Sequence, residues 1–219
     1  MYKNWRDLIK PKRLQVETDS LTDCYGKFVA EPFEKGYGLT IGNSLRRVLL
    51  SSIEGASITA IKIEGVPHEF DTIEGVYEDV VRIILNLKKL RLKYEGDLPK
   101  VLHIVKSGAG DLIGEDFNVD SEVEVMNTDL KIATLNDTAN IDMEIQVERG
   151  RGYIPAEMNK SNTETVGVIP IDSLFSPVEK VNIKVEDTRV GQRTDFDKLI
   201  LEIWTDGSIT PEDALAHAA

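Results

Sequence analysis

Few residues in this sequence have the types and spacing to do chemistry. Its histidines are His68, His103 and His217, far apart, and Cys24 is the only cysteine. No close set of imidazole and thiolate ligands exists of the kind a zinc site uses, and no cofactor or metal is expected. His103 falls in an alternating stretch and reads as a half-buried strand residue rather than a base. Asp195 and Asp197 in "TDFDKL" form an Asp-x-Asp pair, which can hold Mg²⁺ beside a phosphate. The same spacing fits two solvent-facing strand residues flanking Phe196. "GYGLTIG" and "GAGDLIG" both place glycine at i, i+2 and i+6. Neither has the Gly-x-Gly-x-x-Gly dinucleotide spacing or a P-loop lysine, and matches this loose read as loops. Spacing suggests no nucleophile–base pair either.

A different signal lies in "GYGLTIGNSLRRVLLSS", residues 36–52, where two adjacent arginines, Arg46 and Arg47, interrupt an apolar stretch. Two guanidiniums are not buried without partners. At roughly 100° per residue, Ile41, Leu45, Val48, Leu49 and Ile53 share an arc of about 140°, which should face a core. The opposite side carries Asn43, Arg46, Arg47 and Leu50. Leu50 sits between the two arginines on the face that should be wet. Such a face fits ordinary surface or a protein interface, where arginine is enriched.

The elements that must position these residues are mostly strands. "RLQVE" and "GKFVAEP" alternate before the arginine helix. "SITAIKIEGV", "LRLKY", "KVLHIVK", "SEVEVMN" and "IDMEIQVE" alternate after it. "DTIEGVYEDVVRIILNLKKL" reads as a helix starting near Asp71 or Thr72 and ending at Lys88 and Lys89, an order of charge that suits the helix dipole. "GAGDLIGEDF" and "ERGRGYIPAEMNKSNTET" read as loops. Alternation returns in "VEKVNIKVE" and "KLILEIW", broken at Asp206-Gly207. Thr210, Pro211 and Asp213 then have the spacing of a helix start.

The chain has 219 residues, enough for one large or two small domains, and a net charge of −12. So acidic a chain has no general attraction to nucleic acid. Its basic clusters, 3–13 and 88–93, are short and read as solvated faces. No apolar run is long enough to span a membrane, and the basic start lacks the apolar core of a signal peptide. A lone cysteine fits a reducing cytoplasm.

"EPFEKGYGLTIGNSLRRVLLSS" resembles the most recognisable segment of the N-terminal domain of bacterial RNA polymerase alpha subunits. The resemblance continues, in the family's order, through "EGVYEDVVRIILNLKKL", "VERGRGYIPA", "SPVEKVNIKVEDTRVGQRTDFDKLILEIWTDGSITPEDAL" and the early "LIKPKRL". It implies an α+β fold with a discontinuous dimerisation module of sheet plus helices, 1–54 plus 178–219, and an inserted strand-rich module, 55–177. It also implies a homodimer that acts as a non-catalytic assembly scaffold, a cytoplasmic platform for the beta and beta-prime subunits of a nucleotidyltransferase complex.

By that resemblance, Arg47 matches the arginine critical for assembly, with Leu50, Asn43 and Arg46 on the same beta-docking face. Lys88 and Ile171 match the beta-prime side. Leu45, Val48, Leu49 and Leu215 are expected in the dimer interface. Members of the family continue into a linker and a small DNA-binding domain. This sequence ends at "LAHAA", so no direct DNA binding is expected of it, and no membrane partner. The competing reading is a stand-alone mixed α/β enzyme that binds a phosphorylated ligand with Mg²⁺ at Asp195 and Asp197.

Overall fold

The computed structural model describes residues 9, 11, 13–117, 122–160, 167–191 and 193–219, and these form two compact units. The first combines residues up to Ile53 with Pro177–Ala219, and the second is Glu54–Ser176. In chain order the first unit opens with β1 (Gln15–Val16), β2 (Tyr25–Glu34) and α1 (Tyr37–Ser51). The second runs β3 (Glu54–Ile63), α2 (Val80–Leu87), β4 (Leu92–Tyr94), β5 (Lys100–Ser107), β6 (Gly110–Ile113), β7 (Val123–Val125) and β8 (Lys131–Leu135). It continues with β9 (Asn140–Arg151), β10 (Tyr153–Ile154), α3 (Ala156–Lys160), β11 (Val168–Pro170) and β12 (Ser173–Leu174). The chain then returns to the first unit with β13 (Val178–Val190), β14 (Arg193–Thr205) and α4 (Pro211–Ala218). The fold is α+β, as the resemblance implied, and the strand pairs among the described residues are all antiparallel.

The first unit is one antiparallel sheet, ordered β1-β2-β14-β13, with helices on one face. Alternation along β14 turns Leu199, Leu201 and Ile203 inward, and β2 contributes Phe28 beside them. Leu49 of α1 and Ile53 just after that helix, with Ala214 and Leu215 of α4, close this core. Helix α4 starts where its sequence says it should. Pro211 is its first residue, and the Thr210 side chain accepts the Asp213 backbone N–H at 3.2 Å.

Helix α1 begins earlier than its apolar pattern suggests. "GYGLTIG" is not a loop: it forms the entry and first turns of the helix, with Gly36 at φ +88° just before it. Gly38 and Gly42 are buried against the β13–β14 hairpin. A Cβ at Gly38 would lie 2.9 Å from the Asp197 Cβ, and one at Gly42 would lie 2.8 Å from the Leu199 Cδ1. Glycine lowers helix propensity by about 1 kcal/mol relative to alanine. Here its missing side chain is what lets the helix backbone lie against the strands.

The second unit builds its own core around a sheet ordered β11-β3-β9-β5. Ile141, Met143, Ile145 and Val147 of β9 are all fully buried, so the clearest alternation in the sequence is also the centre of this core. Two loop expectations fail here. "GAGDLIGEDF" contains β6, paired with β8, and "ERGRGYIPAEMNK" contains the end of β9, then β10 and α3. The long helix expected from Asp71 or Thr72 is also shorter. It starts at Val80, with Asp79 as N-cap accepting the Arg82 N–H at 2.8 Å. Gly75 at φ +80° and the bridge from Val76 to Leu135 hold the preceding segment out of helical geometry.

Candidate functional site

One side of α1 is fixed and the other is open. Leu49 is fully buried, and Leu45 packs partly against the same core. Asn43, Arg46 and Arg47 are exposed on the other side. Neither guanidinium has a hydrogen-bond or ion-pair partner among the described residues. Leu50 departs from expectation. It is half-buried and packs against the first unit's core, because the residues after it lead into buried Ile53. The apolar member of this face is instead Leu39, 54% exposed, with Tyr37 beside the helix start. Leu39, Asn43, Arg46 and Arg47 stand at i, i+4, i+7 and i+8, a single stripe. The spacing was in the sequence, but it becomes visible only once the helix is known to start at Tyr37.

The Asp-x-Asp pair does not form a metal site. Asp195 is exposed and holds Arg193 at 2.9 Å, a pairing that keeps its carboxyl below the usual range. Asp197 is 5% exposed rather than solvent-facing. Its Oδ2 accepts the backbone N–H of Gly36 at 2.8 Å and of Gly38 at 3.2 Å. The two carboxylates therefore serve an arginine and a helix start, and the enzyme reading loses its site. No cluster of three or more metal-ligating side chains occurs among the described residues. His103 is exposed rather than half-buried, with its Nε2 at 2.6 Å from Asp142.

A second polar cluster lies in the second unit. Lys88 follows α2 and pairs with Asp172 at 2.5 Å. The Lys88 ammonium holds the Asp172 carboxyl below its ordinary value, and the Tyr153 hydroxyl donates to the same oxygen at 3.3 Å. Ile171 is 3% exposed, so its side chain fills the core and is not offered to a partner. Asn159 pins this segment by donating to the Ile171 carbonyl at 2.7 Å, and Ser173 donates to the Ile58 carbonyl at 2.6 Å. The exposed apolar residues here are Tyr153 and Leu174, cross-strand partners in the β10–β12 ladder. Sequence reading missed both, since so short a ladder has no periodic signal.

Of the four residues expected at a dimer interface, Leu49 and Leu215 lie inside their own unit's core, while Leu45 and Val48 are half-buried. Phe28, Phe33, Ile41, Leu45, Leu199 and Leu215 line an apolar groove of about 230 Å³ on this unit. The basic cluster at 3–13 lies largely outside the described residues. In the cluster at 88–93, Lys89 reaches the Asn86 Oδ1 at 3.2 Å and Lys93 lies 3.7 Å from Glu95.

Residues 61–176 match the family model of the RNA polymerase Rpb3/RpoA insert domain. The chain is 59% identical over 213 residues to a protein of Leptospira biflexa serovar Patoc named DNA-directed RNA polymerase subunit alpha, covering 96% of this chain and 66% of that protein. It is 55% identical over 219 residues to the subunit of that name in Geobacter metallireducens, covering 100% of this chain and 64% of the relative. The corresponding protein of Pelobacter propionicus is 54% identical over the same length. The chain thus spans 64–66% of the length of the curated relatives it matches.

Proposed function

The chain belongs to the bacterial RNA polymerase alpha-subunit family, whose insert domain its residues 61–176 match, and on that premise we propose that it is a non-catalytic assembly scaffold. It dimerises and docks the beta and beta-prime subunits in the cytoplasm, and RNA synthesis belongs to those larger partners. The observation that carries this reading is the outer stripe of α1. Two adjacent guanidiniums stand exposed and without partners among the described residues, on a helix whose inner face is packed into a core. An exposed pair of arginines on a stripe that also carries an exposed leucine has the composition of an interface anchor. Arg47, Arg46 and Asn43 are the proposed beta-docking residues, with Leu39 added; Leu50 supports them from behind.

The Lys88–Asp172 pair with Tyr153 and Leu174 is the proposed beta-prime side, in which Ile171 acts from the core. The apolar groove lined by Leu45 and Leu215 is the proposed dimer contact, since a second copy would remove that surface from water. Binding to purified beta subunit, measured for the native chain and for Arg47→Ala, tests the reading. Native binding by the variant would remove its main support.

A further inference from the structure

Helix α1 has no cap of its own. The residue before it is Gly36, which has no side chain, and no side-chain cap bond comes from the helix's own start. The role falls to a residue far away in the chain. Asp197, on β14, accepts the N–H groups of Gly36 and Gly38 with a single carboxylate oxygen. It is nearly buried, between Phe196 at 1% exposure and Leu199 at 3%. The pairing of β14 with β2 shifts register between Asp197 and Leu199. Such an irregularity re-aims the side chains around it.

The attachment fixes more than stability. A helix packed only by apolar side chains can rotate or slide by a fraction of a turn at modest cost. Here the axial position is set by two hydrogen bonds at the first turn, and the rotation is set by glycines. A Cβ at Gly38 would collide with Asp197 itself, and one at Gly42 with Leu199 one turn further on. Both glycines share the inner face with Leu49, so the exposed stripe opposite them has one direction. Arg46 and Arg47 lie on that stripe, two to three turns from the attachment.

We infer that Asp197 is a positioning residue for partner docking: it anchors α1 on the β13–β14 hairpin so that the Arg46–Arg47 face is presented preformed. This rests on the reading of that face as the beta-docking surface. A charged carboxylate at a helix start is favoured by the macrodipole and accepts N–H groups that the first turn leaves without helical partners. A preorganised contact face lowers the ordering cost of binding. Losing the anchor therefore weakens docking although Asp197 touches no partner.

The test uses the full chain and purified beta subunit, with Asp197→Ala, Asp197→Asn, Gly38→Ala and Arg47→Ala. Asp197→Ala is expected to weaken beta binding about tenfold, and Asp197→Asn, which keeps an accepting oxygen, to recover most of the loss. Gly38→Ala is expected to weaken binding with Asp197 intact, because its Cβ pushes the helix off its seat. Amide hydrogen exchange should quicken in the first turns of α1 in Asp197→Ala and Gly38→Ala, but not in Arg47→Ala, while near-ultraviolet circular dichroism stays native. If Arg47→Ala loses binding while folded Asp197→Ala and Gly38→Ala bind as tightly as native, the positioning role is overturned. If Arg47→Ala itself binds normally, the docking face has been misplaced and the inference falls with it. If Asp197→Ala does not fold, Gly38→Ala decides alone, and native-tight binding by that folded variant overturns the positioning role.

Discussion

Arg46 and Arg47 differ in what the helix leaves them. Arg46 lies on the stripe nearer the inner arc, while Arg47 stands one residue further round, and neither has an ion pair within the described chain. An exposed arginine contributes little to the fold, so substituting it should change stability by no more than about 0.5 kcal/mol. At a desolvated interface centre the same truncation commonly costs about 2 kcal/mol, roughly thirtyfold in affinity. Arg46→Ala should therefore leave the melting temperature unchanged and weaken beta binding less than Arg47→Ala does. Equal effects in a binding titration would mean that both guanidiniums are anchors.

At the same scale, Asp172 makes a pH prediction. Its folded carboxyl is held low by the Lys88 ammonium, so the pair stabilises the fold above the unfolded carboxylate value of about 3.9. That contribution is lost as pH falls through the lower folded value. Both side chains are about one third exposed, which screens the pair and keeps the effect small. Asp172→Asn should slightly lower stability at neutral pH and flatten the dependence on pH below about 4. Urea melts at pH 7 and pH 3 check this, and an unchanged difference between those pH values would contradict it.

Among the elements, α2 shows how capping decides a boundary. Its apolar spacing runs on from Val76, yet the helix starts only after Asp79, whose side chain holds the Arg82 N–H. Asp79→Ala should destabilise the second unit by about 1 kcal/mol, read as a shifted denaturant midpoint at constant slope. Strands such as β9 and β14 were legible in the sequence because a period of two survives wherever one face is buried. The start of α4 was legible because its cap is local, with Thr210 and Asp213 three residues apart. The start of α1 was not, since its cap comes from Asp197, about 160 residues along the chain. Its glycines also read as loop residues until the strand they touch is known. The burial of Leu50 was not legible, because periodicity tells a helix face from its opposite while burial at its margins depends on neighbouring elements. Asn43, Arg46 and Arg47 were legible as an exposed polar group.

At the scale of the whole molecule, each unit has its own core, and the second is a single continuous segment, Glu54–Ser176. Residues 54–176 expressed alone should therefore melt cooperatively, and a non-cooperative melt would show that the core depends on the flanking segments. The scaffold reading also requires the chain alone to show no nucleotidyl transfer, because in-line phosphoryl displacement needs carboxylates arranged around metal ions. RNA synthesis by the purified chain, free of other subunits, would contradict it. Anisotropy with promoter-upstream DNA over a salt series should show no binding near physiological salt, given the net charge of −12. On the proposed function, this chain docks a large subunit through the outer stripe of α1. The direct measurement is size-exclusion chromatography of the native chain and of Arg47→Ala, each mixed with purified beta subunit. Co-elution of the native chain with beta, lost in the variant while the variant's own elution volume stays native, is the predicted result. Co-elution of both chains with beta, or of neither, would contradict the account.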